Sequence, residues 1–326
     1  MIPIVSQRKH PHILVCGPNP SWQKTIVFDE FRPREVNRAK ERDCRASGKG
    51  VNLARAVRTW GLAVPTVYQF AGGANGRDLN KWLQQEKIRS VTREIDGETR
   101  CCTTVLCRKN ASMTELIEPS PAVSPDDVGS LKKAMLDALP DADALALCGT
   151  LPNGTPDDFY AELAAEAVCA GKPVLMDSVE HIDKTLAAGV QYLKINSGEI
   201  LAITGGSDPE SAAFTLLDRF PLQCAAITDG PDRAFIVLRG SVQRISIPLL
   251  TRVCNPIGAG DVCSGVMLSE LLAGADPVHA FTAGLAAACA SCLTQFAAEF
   301  DRAEALRIRS EMRIEAVLPA KHQHET

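Results

Sequence analysis

Gly258-Ala259-Gly260-Asp261 joins a stretch that can turn tightly to a carboxylate placed directly after it. The small residues let successive N–H groups converge on one spot, and a helix starting there adds the positive end of its dipole. Such a nest suits an anion, including the charge that develops on a phosphoryl group in flight. A carboxylate repels phosphate, so Asp261 reads as the group that takes a proton from an attacking hydroxyl. The bland alternative is a tight turn with an ordinary acidic residue in the first helical turn.

Ala46-Ser47-Gly48-Lys49-Gly50-Val51-Asn52 offers a second anion site, again at the start of a helix. Lys49 can set an ammonium beside a phosphate, and Arg100 brings a planar fork for the same group if the two come together. Without that partnership, Arg100 reads as part of a solvated strand face. Asn196 and Glu199 stand three apart on one helical face, a spacing that suits Mg2+ held through water. The same spacing also suits a helix N-cap with its N3 partner. Cys289 and Cys292 form a C-x-x-C with no second ligand pair at metal-binding spacing, so they read as small core residues.

These groups need elements to hold them. His12 to Cys16 reads as a buried strand, followed by a helix from Gly50 with apolar residues at three- and four-residue steps. Val64 to Phe70, Ala144 to Cys148, Pro173 to Asp177, Tyr192 to Ile195, Ala225 to Thr228 and Ala234 to Leu238 read as further strands, and Leu79 to Gln85 as a helix. Alternation of this kind predicts an α/β fold: a mainly parallel central sheet with helices on both faces. Ligands then bind at the carboxyl ends of the strands. Residues 25–45 and 94–117 break the rhythm and predict a small separate sheet over a main domain formed by 1–24, 46–93 and 118–326. The tail beyond about Pro319 reads as polar and mobile.

Composition narrows the function classes. The chain has 326 residues, 5% aromatics and a net charge of −4, with no dense Lys/Arg run, so nucleic acid is not an expected partner. Its longest apolar run, about Ala283 to Leu293, is too short to span a bilayer, so no membrane partner is expected. Twelve scattered cysteines and no charged-then-apolar leader pattern predict a reducing cytoplasm.

Taken in order, seven segments resemble the ribokinase-like sugar kinases, in the phosphofructokinase B branch that includes 1-phosphofructokinase and tagatose-6-phosphate kinase. They are Asn19-Pro20, Ser47 to Asn52, Gly72-Gly73, Glu98-Thr99-Arg100, Gly149 to Pro152, Asn196 to Glu199 and Asn255 to Asp261. The resemblance runs from about Ile13 to Asp301. It implies a three-layer fold with a β-sheet lid, and a kinase that uses ATP and Mg2+ to phosphorylate a small-molecule sugar phosphate. Fructose-1-phosphate, fructose-6-phosphate and tagatose-6-phosphate are the acceptors it suggests. By resemblance Asp261 is the general base and the backbone of Gly258, Ala259 and Gly260 the anion hole. Lys194, Asn196, Thr228 and Gly230 fall on the nucleotide side, and Asn196 with Glu199 organises the metal and its waters. Gln23, Ser47, Gly48, Lys49, Asn52, Arg100 and Thr150 fall on the sugar side, and the lid implies a homodimer.

Three positions depart from the family pattern. Gln23 stands where a carboxylate usually binds sugar hydroxyls, Ser47 replaces a glycine, and Ile195 replaces a proline. A neutral amide still donates and accepts, but it does not offer two anionic acceptors to a diol. Two other readings therefore stay open: a non-catalytic sugar- or nucleotide-binding regulator on the same fold, and a kinase of an unphosphorylated sugar or a nucleoside.

Overall fold

The computed structural model describes residues 10–317; the tail beyond Pro319, expected to be mobile, lies outside them. The strands are β1 (His12–Cys16), β2 (Ser21–Phe28), β3 (Glu41–Ser47), β4 (Val64–Ala71), β5 (Arg89–Glu94), β6 (Cys101–Cys107), β7 (Ser112–Ile117), β8 (Ala144–Cys148), β9 (Val174–Asp177), β10 (Tyr192–Asn196), β11 (Cys224–Asp229), β12 (Arg233–Leu238), β13 (Ser241–Ser246) and β14 (Arg313–Val317). The helices are α1 (Lys49–Trp60), α2 (Gly73–Gln85), α3 (Pro125–Ala138), α4 (Phe159–Cys169), α5 (Ile182–Ala187), α6 (Ser197–Thr204), α7 (Pro209–Arg219), α8 (Ala259–Leu272), α9 (Pro277–Cys292) and α10 (Arg302–Glu311).

Ten strands form one sheet in the order β14-β13-β12-β11-β10-β9-β8-β1-β4-β5. From β11 to β5 all neighbours run parallel, and β12, β13 and β14 add an antiparallel edge. Because strand side chains alternate faces, Leu14 and Cys16 join the core under α3 to α7. Ile13 and Val15 join the core under α1, α2, α8 and α9. Three layers result, as the alternating pattern predicted. No helix among the described residues is long and apolar enough to cross a membrane.

The small second sheet has the order β3-β2-β6-β7. It is wider on one side and shorter on the other than the expected 25–45 and 94–117. Ser21 still pairs with Ser47 across the β2/β3 hairpin, while Glu94 pairs with Ala71 in the large sheet. Only Glu94 of β5 falls inside the expected small sheet; β5 as a strand, with β13 and β14, went unread. The sheet rests on the main body through Trp22, whose ring meets Trp82 of α2 edge to face at 6.1 Å. Arg45 completes the seat, 2.6 Å from Glu299 and 4.0 Å over the ring of Phe296.

Two of the seven segments prove to clamp one another. Glu98 caps the start of α2, accepting from Ala74 N at 3.1 Å and Asn75 N at 2.6 Å. A Cβ on Gly73 would lie 2.0 Å from that carboxylate, which is why glycine stands there. Thr99 Oγ1 meanwhile accepts from Gly72 N at 2.9 Å. Gly72-Gly73 and Glu98-Thr99 thus set where the chain enters β6 and where Arg100 stands. The cap also starts α2 six residues before the expected Leu79.

Candidate active site

Several of the expected residues converge at the carboxyl ends of the parallel strands, beneath the first turn of α8. Gly258 takes φ 79° as the N-cap of that helix, a left-handed conformation that suits glycine. A Cβ on Gly260 would sit 2.8 Å from Lys194 Nζ, so the absent side chain leaves room for an ammonium against the nest. Helix amides and a cation therefore share one pocket, a setting for a doubly charged group.

Asp261 follows, buried, in the first turn. Its Oδ2 accepts from Asn52 Nδ2 at 2.8 Å. Among the described residues its Oδ1 has no hydrogen-bond partner. Burial first, and then the Asp177 carboxylate, push Asp261 up to about 6, against the opposing pull of Lys49, Asn52 and Lys194. A carboxylate with a pKa near neutrality is suited to general-base work.

Asp177, at the end of β9, is the centre that sequence reasoning missed. Its Oδ1 lies 2.8 Å from Lys49 Nζ; its Oδ2 accepts from Ser264 Oγ at 2.5 Å and lies 3.7 Å from Lys194 Nζ. Burial opposes its ionisation, but Lys194 and Lys49 prevail and take it down to about 2. The Asp177 charge in turn holds Lys49 well above the usual lysine range. The available signal was a charged residue ending the buried run Val174-Leu175-Met176 at a carboxyl strand end, the very place where ligands bind.

Lys49 is accordingly engaged with Asp177. Arg100 instead donates to the carbonyls of Asn19 at 3.0 Å and Pro20 at 3.4 Å. Thr150 accepts from Asn19 Nδ2 at 2.8 Å, so Arg100 and Thr150 flank one loop. Gly48 caps α1 at φ 105°, and Ser47 Oγ donates to Asn52 Oδ1 at 3.2 Å. Gln23 is buried with its Nε2 on Thr104 Oγ1 at 2.7 Å, within the small sheet.

Asn196 and Glu199 form a capping box: Asn196 Oδ1 accepts from Glu199 N, and Glu199 Oε2 from Asn196 N, each at 2.8 Å. The capping alternative thus describes their bonding, and it leaves Glu199 Oε1 turned to within 4.0 Å of Lys49 Nζ. No group of three or more metal-ligating side chains exists among the described residues. A hard oxygen donor at the crevice with no protein cage fits magnesium, which keeps most of its waters.

Beside the nest lies a mostly apolar cavity of about 360 Å³, lined by residues that include Thr228, Gly230, Ile247, Val253, Ala259 and Cys289. It brings Thr228 and Gly230 together, as expected, and opens onto Gly260. Cys289 is buried in the core, as expected, and with Cys292 it also lines this cavity. Burial pushes their thiols up to about 12 and about 11.

Residues 21–301 match the model of the pfkB family of carbohydrate kinases. A tagatose-6-phosphate kinase of Staphylococcus epidermidis is 26% identical over 268 residues, spanning 80% of this chain and 85% of that protein. The structure of phosphofructokinase-2 from Escherichia coli in complex with fructose-6-phosphate superposes with a TM-score of 0.82 at 22% identity, over 92% of this chain and 99% of that one. A possible 1-phosphofructokinase from Thermotoga maritima gives 0.83 at 20% identity, over 94% of this chain and 99% of that one. At such identities the two structures speak for the fold.

Proposed function

This chain belongs to the pfkB family of carbohydrate kinases, and from that premise we propose that it transfers the terminal phosphoryl group of ATP to a hydroxyl of a hexose phosphate. The observation that carries the reading is Asp261, held by Asn52 beside a glycine nest that Lys194 also faces. The acceptor hydroxyl gives its proton to Asp261 as its oxygen bonds to phosphorus, the bond to the departing diphosphate breaks, and ADP leaves. Amides of Gly258 to Gly260, with Lys194, stabilise the charge that grows on the moving group. Lys49 stays protonated beside Asp177 and adds a second fixed cation.

The apolar cavity at Thr228 and Gly230 suits a nucleoside base, directly adjoining the nest that suits its phosphates. Glu199, with Asn196, would hold Mg2+ through water, and the ion would supply neutralising charge for the phosphates. Arg100 and Thr150 flank the Asn19 loop, and Arg100 suits the acceptor's own phosphate. The small sheet acts as a lid that excludes water during transfer. Met113, Leu116 and Ile117 on β7 are exposed, the last at 61%, and suit a homodimer formed through that lid. All twelve cysteines are free thiols, which suits a reducing cytoplasm.

Gln23 favours keeping a second reading in view, a binding protein that has lost turnover, because its amide is engaged with Thr104. ADP release with Mg-ATP separates the two across tagatose 6-phosphate, fructose 6-phosphate, fructose 1-phosphate, fructose, ribose and adenosine. Turnover on at least one phosphohexose is expected. Binding without turnover on any acceptor would favour the regulator, and turnover confined to unphosphorylated acceptors would move the assignment to the third reading.

A further inference from the structure

We propose that Arg55 is a positioning residue for phosphoryl transfer: its buried guanidinium, held by Glu86, fixes the amide of Asn52 and so aims Asp261. The inference rests on Asp261 being the base. It begins with an oddity, since Arg55 is 1% exposed inside the apolar run Leu53-Ala54-Arg55-Ala56-Val57 of α1. Burying a guanidinium carries a desolvation penalty that a well-packed apolar side chain of similar volume avoids. Stability alone therefore does not account for an arginine at this position.

Its contacts do account for it. Arg55 Nη1 donates to Asn52 Oδ1 at 3.1 Å, and Ser47 Oγ donates to the same oxygen at 3.2 Å. With two donors on Oδ1, the amide NH2 must face the other way, where it reaches Asp261 Oδ2 at 2.8 Å. Rotating the amide by half a turn would set its NH2 against the guanidinium and its carbonyl against the carboxylate, two repulsive contacts. Nor is the guanidinium free to follow such a rotation. Its Nε donates to Glu86 at 3.0 and 3.2 Å, its Nη2 to Ala46 O at 2.8 Å, and its Nη1 also to Ala297 O at 3.4 Å. All three nitrogens are engaged in one plane, a geometry that lysine does not reproduce.

Asp261 is faced by Lys49 and Asn52 from α1, Asp177 from β9, Lys194 from β10 and the Cys148 thiol at the end of β8. Among the described residues, Asn52 is the one of these that hydrogen-bonds the Asp261 side chain. If its amide turns away, Asp177 still repels the ionised base and one hydrogen bond that favours ionisation is lost, so Asp261 protonates at higher pH. Its free rotation also blurs the aim of Oδ1, which costs turnover more than acceptor binding.

The test uses the full-length protein with Mg-ATP and the phosphohexose that the acceptor screen selects. Arg55→Met with Glu86→Gln removes both charges together, so neither is left buried alone. Its acid limb of kcat/KM should move up by about one pH unit, and kcat should fall about ten- to a hundredfold with KM for ATP unchanged. Asn52→Ala should reproduce the limb shift, and combining all three substitutions should add nothing further. A 13C titration of aspartate-labelled protein, with Asp261→Asn assigning the signal, reads the same shift without substrate. Arg55→Lys carries the test if the double variant does not fold, with a smaller shift expected. An unshifted limb and titration in a folded variant, or fully additive effects in the triple variant, would overturn the proposal. Absence of turnover by the wild-type protein would defeat the kinase reading instead, and the carboxyl titration would still decide whether Arg55 governs Asp261.

Discussion

The crevice under α8 and the small sheet answer opposite demands with opposite materials. In the crevice Asp177, Asp261, Lys49 and Lys194 stand within one charged cluster, three of them buried, and hydrogen bonds reach them from α1, β9 and α8. In the small sheet, β7 is exposed along its whole length, and the ion pairs at Arg32, Lys40, Arg108 and Lys109 lie on the surface. Buried charge in low dielectric keeps its geometry, whereas exposed pairs contribute little and rearrange readily. The contrast teaches that charges whose geometry must hold are buried in the crevice, while the small sheet carries its charges on the surface, where their arrangement is less fixed.

Four measurements can break or sharpen that contrast. Asp261→Asn should lower kcat by about 10²–10⁴ while leaving the ATP dissociation constant near wild type; near-full activity would remove the base from the crevice. Asp177→Asn should cost about 3–5 kcal/mol in denaturant unfolding, because Lys49 and Lys194 lose their shared counter-ion. A loss below about 1 kcal/mol would place the cluster with surface pairs.

The third measurement is pH dependence. Asp261 is raised from 3.8 to about 6, so the rate should climb as pH rises through about 6 and fall about tenfold per unit below it. Stability moves the other way for this group: its contribution is full below about 4 and is lost as pH rises through about 6. Asp177 has the reverse sign, with a contribution present above about 4 and lost as pH falls toward 2. A rate independent of pH between 5 and 7 would separate Asp261 from the chemistry. The smallest effect belongs to the sugar side: Arg100→Ala should raise KM for a phosphorylated acceptor about tenfold with kcat little changed. An unchanged KM would move phosphate recognition away from this arginine.

Legibility in the sequence followed the same divide. Parallel strands such as Ala144–Cys148 were readable because a strand buried on both faces is a short continuous apolar run. β5, with the pattern Arg-Ser-Val-Thr-Arg-Glu, lies at the edge of the large sheet and is mostly exposed, so no buried apolar run marked it as a strand. The turn at Gly258 to Asp261 announced itself because glycine and a following acid are local signals. Asp177 and Arg55 did not, since their meaning comes from partners 128 and 31 residues away, Lys49 and Glu86, joined only by the fold. Lys49 was singled out but its pairing with Asp177 was not, because spacing along the chain carries no information about which carboxylate stands opposite.

The Trp22–Trp82 contact makes the seating of the small sheet visible by optical means. The chain has three tryptophans, and the third, Trp60, is buried against Phe300 in the core of the main body. Trp82 also donates through Nε1 to Glu86 at 2.8 Å, so one indole touches both the small sheet and the anchor of Arg55. If the sheet closes as proposed, emission from this pair follows the movement with no attached dye, and Trp60 is the constant background.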